Sequence, residues 1–275
     1  MEKLKKIVEE LKAQPRPVTE QEILNTLREY LQVIILKLMY QSKYGASLSF
    51  MGGTALRICY NLKRYSEDLD FTLDAQKKSY DFPKMIEVIE RELKLSGFKV
   101  GTNVHDEKIV NKAFVSFENF AALFGLRHFR KNQKIHVKIE VDSQAVELKK
   151  EERESFFVNR FQEIYPILKH SLPTLFAGKV AAVLTRAYDK GRDYYDLIWY
   201  LSRKTELNLD YLNRTLKEAR FKNVSEVHAA LRQQIKKVNP TIILKDLSPF
   251  LEDPKEADWI QHYETLFEQL VGSQN

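Results

Sequence analysis

The chain has 275 residues, of which 44% are hydrophobic and 11% aromatic, with only 9 glycines and 8 prolines. This composition excludes a disordered or fibrous protein and predicts a globular one with enough apolar surface for two closely packed domains. Lys and Arg outnumber Asp and Glu by 44 to 38, and the net charge of +6 favours polyanionic ligands such as nucleotides. The N-terminal segment lacks a signal-peptide pattern and no apolar stretch approaches ~18 residues, so we expect a soluble cytoplasmic protein without membrane contact.

The first half of the chain mixes helical and strand patterns. A short apolar run at 48–51 is followed by two glycines and a helical pattern, which predicts a strand, a tight turn and a helix. Further helical spacing covers 3–13, 20–43 and 80–96, and strand alternation covers 68–73, 98–104, 112–117 and 134–142. We therefore predict that this half of the chain folds as an α/β domain.

The second half reads as helical. From Leu175 onward strand patterns stop, and helical patterns follow at about 175–190, 193–203, 208–220, 224–238 and 256–271. Pro166 and Pro173 indicate a turn between the halves. The sequence thus predicts an α/β domain with N-terminal helices over 1–165 and a C-terminal helical lobe over 166–275.

Two aspartates on one predicted strand carry the main chemical signal. Asp68 and Asp70 are two residues apart, so their carboxylates point to the same side of the strand and can converge on a divalent cation. Phosphoryl transfer requires such a site, because Mg²⁺ neutralises the charge that develops on the transferring phosphoryl group. We expect Mg²⁺ at this pair, with an NTP as the substrate.

A third carboxylate is expected on a neighbouring strand, because a site with two metal ions needs a ligand on the side of the attacking group. The segment KIHVKIEVD offers Glu140 and Asp142, which share one face of their strand. Alternation cannot choose between them. Glu140 is favoured because it lies in the middle of the strand, and the predicted metal ligands are then Asp68, Asp70 and Glu140, with two Mg²⁺ ions expected.

The glycine turn is a candidate phosphate site. Gly52 and Gly53 allow the backbone to pass close to a ligand, and Thr54 at the helix start offers a hydroxyl and the positive end of the helix dipole. The alternative is an ordinary tight turn with Thr54 as a helix cap. The order of strand, glycine turn, helix and carboxylate strand favours the functional interpretation.

A second constellation lies in the helical half, within AGKVAAVLTRAYDKGRDYYDL. Lys179 and Arg186 are seven residues apart, so we expect them on one side of a single helix, where both can bind phosphates. Asp193 and Asp196 begin the next helix, where carboxylates also serve as favourable caps. The sequence leaves open whether Asp193 caps the helix or has a role in the active site.

Two segments of the chain resemble the AbiEii family: MGGTALRICYNLKRYSEDLDF and the segment of the helical half given above. This family comprises the toxins of AbiE-type toxin–antitoxin systems and belongs to the DNA polymerase β-like nucleotidyltransferase superfamily. The resemblance covers roughly residues 45–205, and it implies an α+β nucleotidyltransferase fold in which helices flank a mixed sheet. It implies that Gly53 and Thr54 hold the NTP phosphates and that the paired aspartates bind Mg²⁺. The family's third acidic position is weakly patterned, so the resemblance does not support Glu140. The remaining motif positions match Arg64, Ser66, Lys179 and Asp196, which implies triphosphate binding for Lys179 and a supporting catalytic role for Asp196.

The resemblance implies a toxin that transfers a nucleoside monophosphate to an RNA, such as tRNA, or to a protein, and that has a cognate antitoxin. Two alternatives remain. One is a nucleotidyltransferase with a small-molecule acceptor, as in antibiotic modification, against which the lack of surplus acidic residues argues. The other is a non-catalytic NTP-binding or antitoxin-binding protein, against which the intact aspartates argue.

The densest basic stretch is the candidate nucleic-acid contact. Arg127, Arg130 and Lys131 lie beside Phe124 and Phe129, and aromatic rings among cations can stack on bases. A solvated loop is the alternative interpretation.

Overall fold

The computed structural model describes residues 2–74, 80–107, 109–126, 133–216 and 221–272. Two compact units are present. Within the described parts of the chain, no helix combines the length and apolar composition that a membrane span requires. The first unit comprises Met1–Asn61, Tyr65–Glu147 and Ser155–Lys169, and the second comprises Leu62–Arg64, Leu148–Glu154 and His170–Asn275.

The first unit is built on a mixed sheet, and the described residues give it seven strands in the order β3-β4-β5-β2-β1-β7-β6. β2 pairs with β1 in antiparallel fashion and with β5 in parallel fashion, so it lies in the middle of the sheet. The strands are β1 Leu48–Met51, β2 Asp68–Leu73, β3 Val100–His105, β4 Val110–Phe117, β5 Ile135–Asp142, β6 Arg153–Arg160 and β7 Glu163–His170.

Helices pack on this sheet because the central strands bury alternate residues. In β2, Leu69 and Phe71 are fully buried while Asp68 and Asp70 are only half-buried, and Ile139 and Val141 continue the apolar side on β5. Burying such a face on helices is the main stabilising contribution of the fold. The helices of this unit are α1 Glu2–Lys12, α2 Glu20–Gln41, α3 Gly52–Tyr60, α4 Phe82–Leu95 and α5 Phe120–Leu123.

The hairpin of β6 and β7 is absent from the sequence prediction. Its turn is formed by Phe161 and Gln162, both with positive φ (50° and 61°). Such turns normally carry Asn or Gly, and neither is present here, so the usual signal is missing.

The second unit is helical in its described C-terminal part. Its helices are α6 Leu172–Thr185, α7 Gly191–Ser202, α8 Leu209–Thr215, α9 Val224–Ile235, α10 Pro240–Leu247 and α11 Tyr263–Gly272, and a 3₁₀ segment covers Pro254–His262. The mixed sheet with flanking helices, followed by helices, confirms the predicted α+β fold class.

Candidate active site

The predicted carboxylates lie together on one face of the sheet in the first unit. Asp70 on β2 is the register partner of Glu140 on the parallel strand β5, whereas Asp142 is the partner of Thr72. Register partners on adjacent strands project to the same side, about 4.8 Å apart. Asp142 accepts a hydrogen bond from the backbone N–H of Gln144 at 2.9 Å. The register therefore places Glu140 beside Asp70. Asp142 lies two residues further along β5, away from Asp68.

Two lysines surround Glu140. The Nζ atom of Lys138 lies 2.8 Å from Oε2 of Glu140, and Nζ of Lys112 on β4 lies 3.9 Å from Oε1. Lys138 is also the register partner of Asp68. Burial acts to lower the pKa of Lys138, but the hydrogen bond to Glu140 and the negative charges of Asp68 and Asp70 outweigh it and raise the pKa above its ordinary value. Lys138 is not among the site residues predicted from the sequence, because its strand register with Asp68 is not visible locally.

The donor set at Asp68 and Asp70 fits Mg²⁺. Across the described residues, no group of three or more His, Cys, Asp or Glu side chains is gathered to hold a metal by itself. Mg²⁺ does not need such a group, because it keeps several waters and commonly binds through one or two carboxylates together with substrate phosphates. Two half-buried aspartates on one strand face meet that requirement.

Gly52 packs directly against the carboxylate of Asp70. It has φ +80°, and a Cβ at this position would lie 3.2 Å from Cβ and Cγ of Asp70 and closer still to Oδ2. Met51 is the register partner of Asp70, so the chain leaves β1 beside the aspartate and enters α3 there. Only glycine combines the positive φ with the missing side chain, which explains the first glycine of the motif.

The N-terminus of α3 follows that turn. The N-cap residue Met51 makes no side-chain hydrogen bond to the first turn of this helix. Helix N-termini present backbone N–H groups and a partial positive charge to anions. Gly53, half-buried in this first turn, is therefore placed where a backbone N–H can meet a phosphate.

Thr54 also makes a contact within the fold that the motif does not predict. Its side chain is fully buried, and its hydroxyl donates a hydrogen bond to the backbone carbonyl of Asp68. Thr54 thus ties α3 to the start of β2 and holds the first aspartate in place. Ser66, two residues before Asp68, is half-buried, and its carbonyl accepts a hydrogen bond from Nε2 of Gln32 at 3.0 Å.

The second unit contains its own cluster of charges. Arg64 donates two hydrogen bonds to Asp196, at 2.7 Å and 2.6 Å, and both side chains are almost completely buried, at 2% and 0% exposure. Lys179 lies 2.6 Å from Asp193 and 2.8 Å from Asp196. Arg64, Asp196, Lys179 and Asp193 form one ion-paired network, which the sequence could not show because Arg64 is 132 residues from Asp196.

The network sets the charge states of its members. Burial acts to lower the pKa of Lys179, but the charges of Asp193 and Asp196 outweigh it and raise the pKa. Burial conversely acts to raise the pKa of Asp193, but the charge of Lys179 and its hydrogen bond hold that pKa below the ordinary range. Burial, followed by the charge of Arg192, lowers the pKa of Lys190, a neighbouring cation that sequence reasoning missed.

The prediction that Arg186 continues the helix of Lys179 is wrong. α6 ends at Thr185, and Arg186 caps it in an extended conformation with ψ 135°. The Nε atom of Arg186 still lies 3.2 Å from Oδ2 of Asp193, so it joins the network from the connecting segment.

The basic stretch predicted to contact nucleic acid, Arg127, Arg130 and Lys131, lies outside the described residues. Its function stays a prediction.

The comparisons with known proteins agree with this architecture. A crystal structure of a candidate nucleotidyltransferase from H. pylori superposes with a TM-score of 0.57 at 15% identity, covering 90% of this chain and 94% of that one. The crystal structure of JHP933 from Helicobacter pylori superposes with a TM-score of 0.53 at 16% identity, covering 91% of this chain and 93% of that one. MenT4, a nucleotidyltransferase toxin from Mycobacterium tuberculosis H37Rv, superposes with a TM-score of 0.54 at 16% identity, covering 98% of this chain and 89% of that one. At these identities the similarity shows the fold, and no curated protein matches the sequence.

The mixed sheet with its paired strand aspartates and glycine turn is the fold of a nucleotidyltransferase. The family model of the nucleotidyl transferase AbiEii toxin of type IV toxin–antitoxin systems matches residues 34–275. The chain therefore belongs to the AbiEii family and is a nucleotidyltransferase, and its family is one of toxins that act with a cognate antitoxin.

Proposed function

We propose that this toxin transfers a nucleoside monophosphate from an NTP to a hydroxyl of an RNA, tRNA included, in a reaction that requires Mg²⁺. The observation that carries the proposal is the arrangement of Asp68, Asp70 and Gly52: two aspartates on one face of β2, with the glycine turn at the start of α3 packed against the second of them. A metal-bound triphosphate needs these two elements side by side.

The residues of the first unit have separate roles in this proposal. Asp68 and Asp70 hold Mg²⁺, which, when bound, withdraws charge from the phosphate oxygens and so favours attack at phosphorus. The backbone of Gly52 and Gly53 lies close to the phosphates, and Thr54 keeps Asp68 in position. Glu140, beside Asp70, serves the acceptor side of the site.

The reaction is a substitution at the α-phosphorus. The acceptor oxygen forms a bond to this phosphorus, the bond to the bridging oxygen of the β-phosphate breaks, and pyrophosphate leaves while the acceptor proton passes to solvent. RNA is the favoured acceptor because the net charge is +6 and the densest basic stretch lies beside Phe124 and Phe129. A protein acceptor is the other outcome that the test below can reveal.

The test uses the purified chain with each α-labelled NTP in turn, Mg²⁺ and a cell extract. RNA and protein are then separated and counted. We expect label in RNA with the wild type and none with Asp68→Asn or Asp70→Asn, since each change removes a metal ligand at almost constant volume. Label confined to protein would show that the acceptor is a protein and not RNA. Near wild-type labelling by either variant would refute the assignment of Asp68 and Asp70 as metal ligands.

A further inference from the structure

Glu140 is the carboxylate that the sequence prediction assigns to a second metal ion, and strand register places it beside Asp70. The cation that lies against this carboxylate is an ammonium group. Nζ of Lys138 is 2.8 Å from Oε2 of Glu140, a distance typical of a charge-assisted hydrogen bond. The side chain of Lys138 is 28% exposed and that of Glu140 23%, so the pair is partly shielded from solvent.

The backbone fixes this ammonium among the carboxylates. Lys138 stands opposite Asp68 on one side and opposite Phe114 on the other, because β5 lies between β2 and β4. Glu140, two residues further along β5, projects to the same side and stands opposite Asp70. Lys138 therefore shares the sheet face with all three carboxylates that the sequence assigns to metal binding.

The charges of this face favour one divalent ion over two. Asp68, Asp70 and Glu140 carry three negative charges, and Lys138 and Lys112 carry two positive ones within 4 Å of Glu140. One Mg²⁺ brings the group from −1 to +1, and a second would bring it to +3 and place a dication against the Lys138 ammonium. Repulsion between like charges at such short range opposes the second ion.

We propose that Lys138 is a built-in cation of the active site, which takes the place of a second divalent ion at Glu140 and leaves a single metal ion for Asp68 and Asp70. Lys138 acts on the reaction through Glu140, so it is a positioning residue. The inference rests on the proposed metal role of the aspartates, and it replaces the two ions expected from the sequence with one.

The experiment counts Mn²⁺ ions bound per chain, from the loss of the electron paramagnetic resonance signal of the free ion in a titration of the intact protein. We expect one ion for the wild type and two for Lys138→Met, in which Glu140 is released to bind metal. Lys138→Arg keeps the positive charge and should again bind one. Lys112→Met is the matched control, because Lys112 lies further from the same carboxylate, and it should also bind one.

Two ions in the wild type, or one ion in Lys138→Met, would overturn the role of Lys138. A different result addresses the proposed function. If the wild type binds no ion, or if Asp70→Asn binds as many ions as the wild type, the metal site at the aspartates is wrong and the role of Lys138 is refuted with it.

Discussion

Gly52 and the carboxylate of Asp70 are in direct contact, and the space between them leaves no room for a side chain. Gly52 and Asp70 are 18 residues apart in the chain, and their contact makes the glycine turn and the paired aspartates a single structural unit. Whatever moves the start of α3 also moves a carboxylate of the candidate active site.

We predict that Gly52→Ala loses activity far beyond its loss of stability. Its Cβ would collide with Asp70 and displace the carboxylate. Gly97→Ala is the matched control, because Gly97 has a similar φ of +84° but nothing within 4 Å of its Cβ position. Both variants should lose about 1–2 kcal/mol of unfolding free energy from the left-handed backbone, whereas only Gly52→Ala should lose most of its transfer rate. Equal activity in the two variants would show that the contact with Asp70 is unimportant.

Substitutions at Thr54 can distinguish a structural role of its hydroxyl from a role in phosphate binding. Thr54→Val removes the hydroxyl that donates to the Asp68 carbonyl, and it should lower the unfolding free energy by about 1 kcal/mol. Thr54→Ser keeps the donor and should restore the stability. If the hydroxyl acts only by holding Asp68, Thr54→Val lowers kcat with little change in NTP affinity. A large loss of affinity, measured by calorimetry with a non-hydrolysable NTP, would instead support the predicted role of Thr54 in phosphate binding.

The predicted triphosphate role of Lys179 can be separated from its ion pairs. Lys179→Ala leaves Asp193 and Asp196 with fewer partners and should cost about 1–3 kcal/mol of unfolding free energy. The double variant Lys179→Ala/Asp193→Asn removes one of the two buried charges left behind and should recover part of that stability. If Lys179 binds the triphosphate, neither variant recovers NTP affinity. Wild-type affinity in the stable double variant would leave Lys179 a purely structural role.

The same ion pair makes stability depend on pH in a defined direction. The pKa of Asp193 in the folded chain lies below its ordinary 3.8, so its contribution is present above that value and is lost as pH falls through the folded pKa. The pKa of Lys179 lies above 10.5, so its contribution persists throughout the neutral range and is lost only in strong alkali. As pH falls below 3.8, the free energy of unfolding measured in urea should decrease more for the wild type than for Asp193→Asn. The same decrease in unfolding free energy with falling pH in the two proteins would contradict this prediction.

The basic stretch provides the test of RNA contact. Charge reversal at Arg127, Arg130 and Lys131 should weaken RNA binding and leave NTP binding nearly unchanged, because these residues belong to a different segment of the sequence from both motifs. Three lost phosphate contacts should reduce the slope of log affinity against log salt by about 2 to 3. The measurement compares RNA affinity of both proteins over about 50–200 mM salt. The same slope for wild type and variant would exclude this stretch from the RNA-binding surface.

Much of the fold and the centre of the candidate site could be predicted from local pattern. Alternation places Asp68 and Asp70 on one face and Leu69 and Phe71 on the other, because side chains in a strand have a period of two. The glycine turn between an apolar run and a helical pattern predicts the entry into α3. These features depend on residues close together in the chain, and the family resemblance that they carry is confirmed by the family model.

The tertiary structure alone decided which distant residues meet. Strand register puts Glu140 beside Asp70 and Lys138 beside Asp68, a choice that alternation within β5 leaves open because 138, 140 and 142 share one face. Arg64 and Asp196 pair across 132 residues, and only the folded chain brings them together. Local periodicity reports which side of an element is buried, whereas register and ion pairing are set by contacts between elements, which no short window of sequence contains.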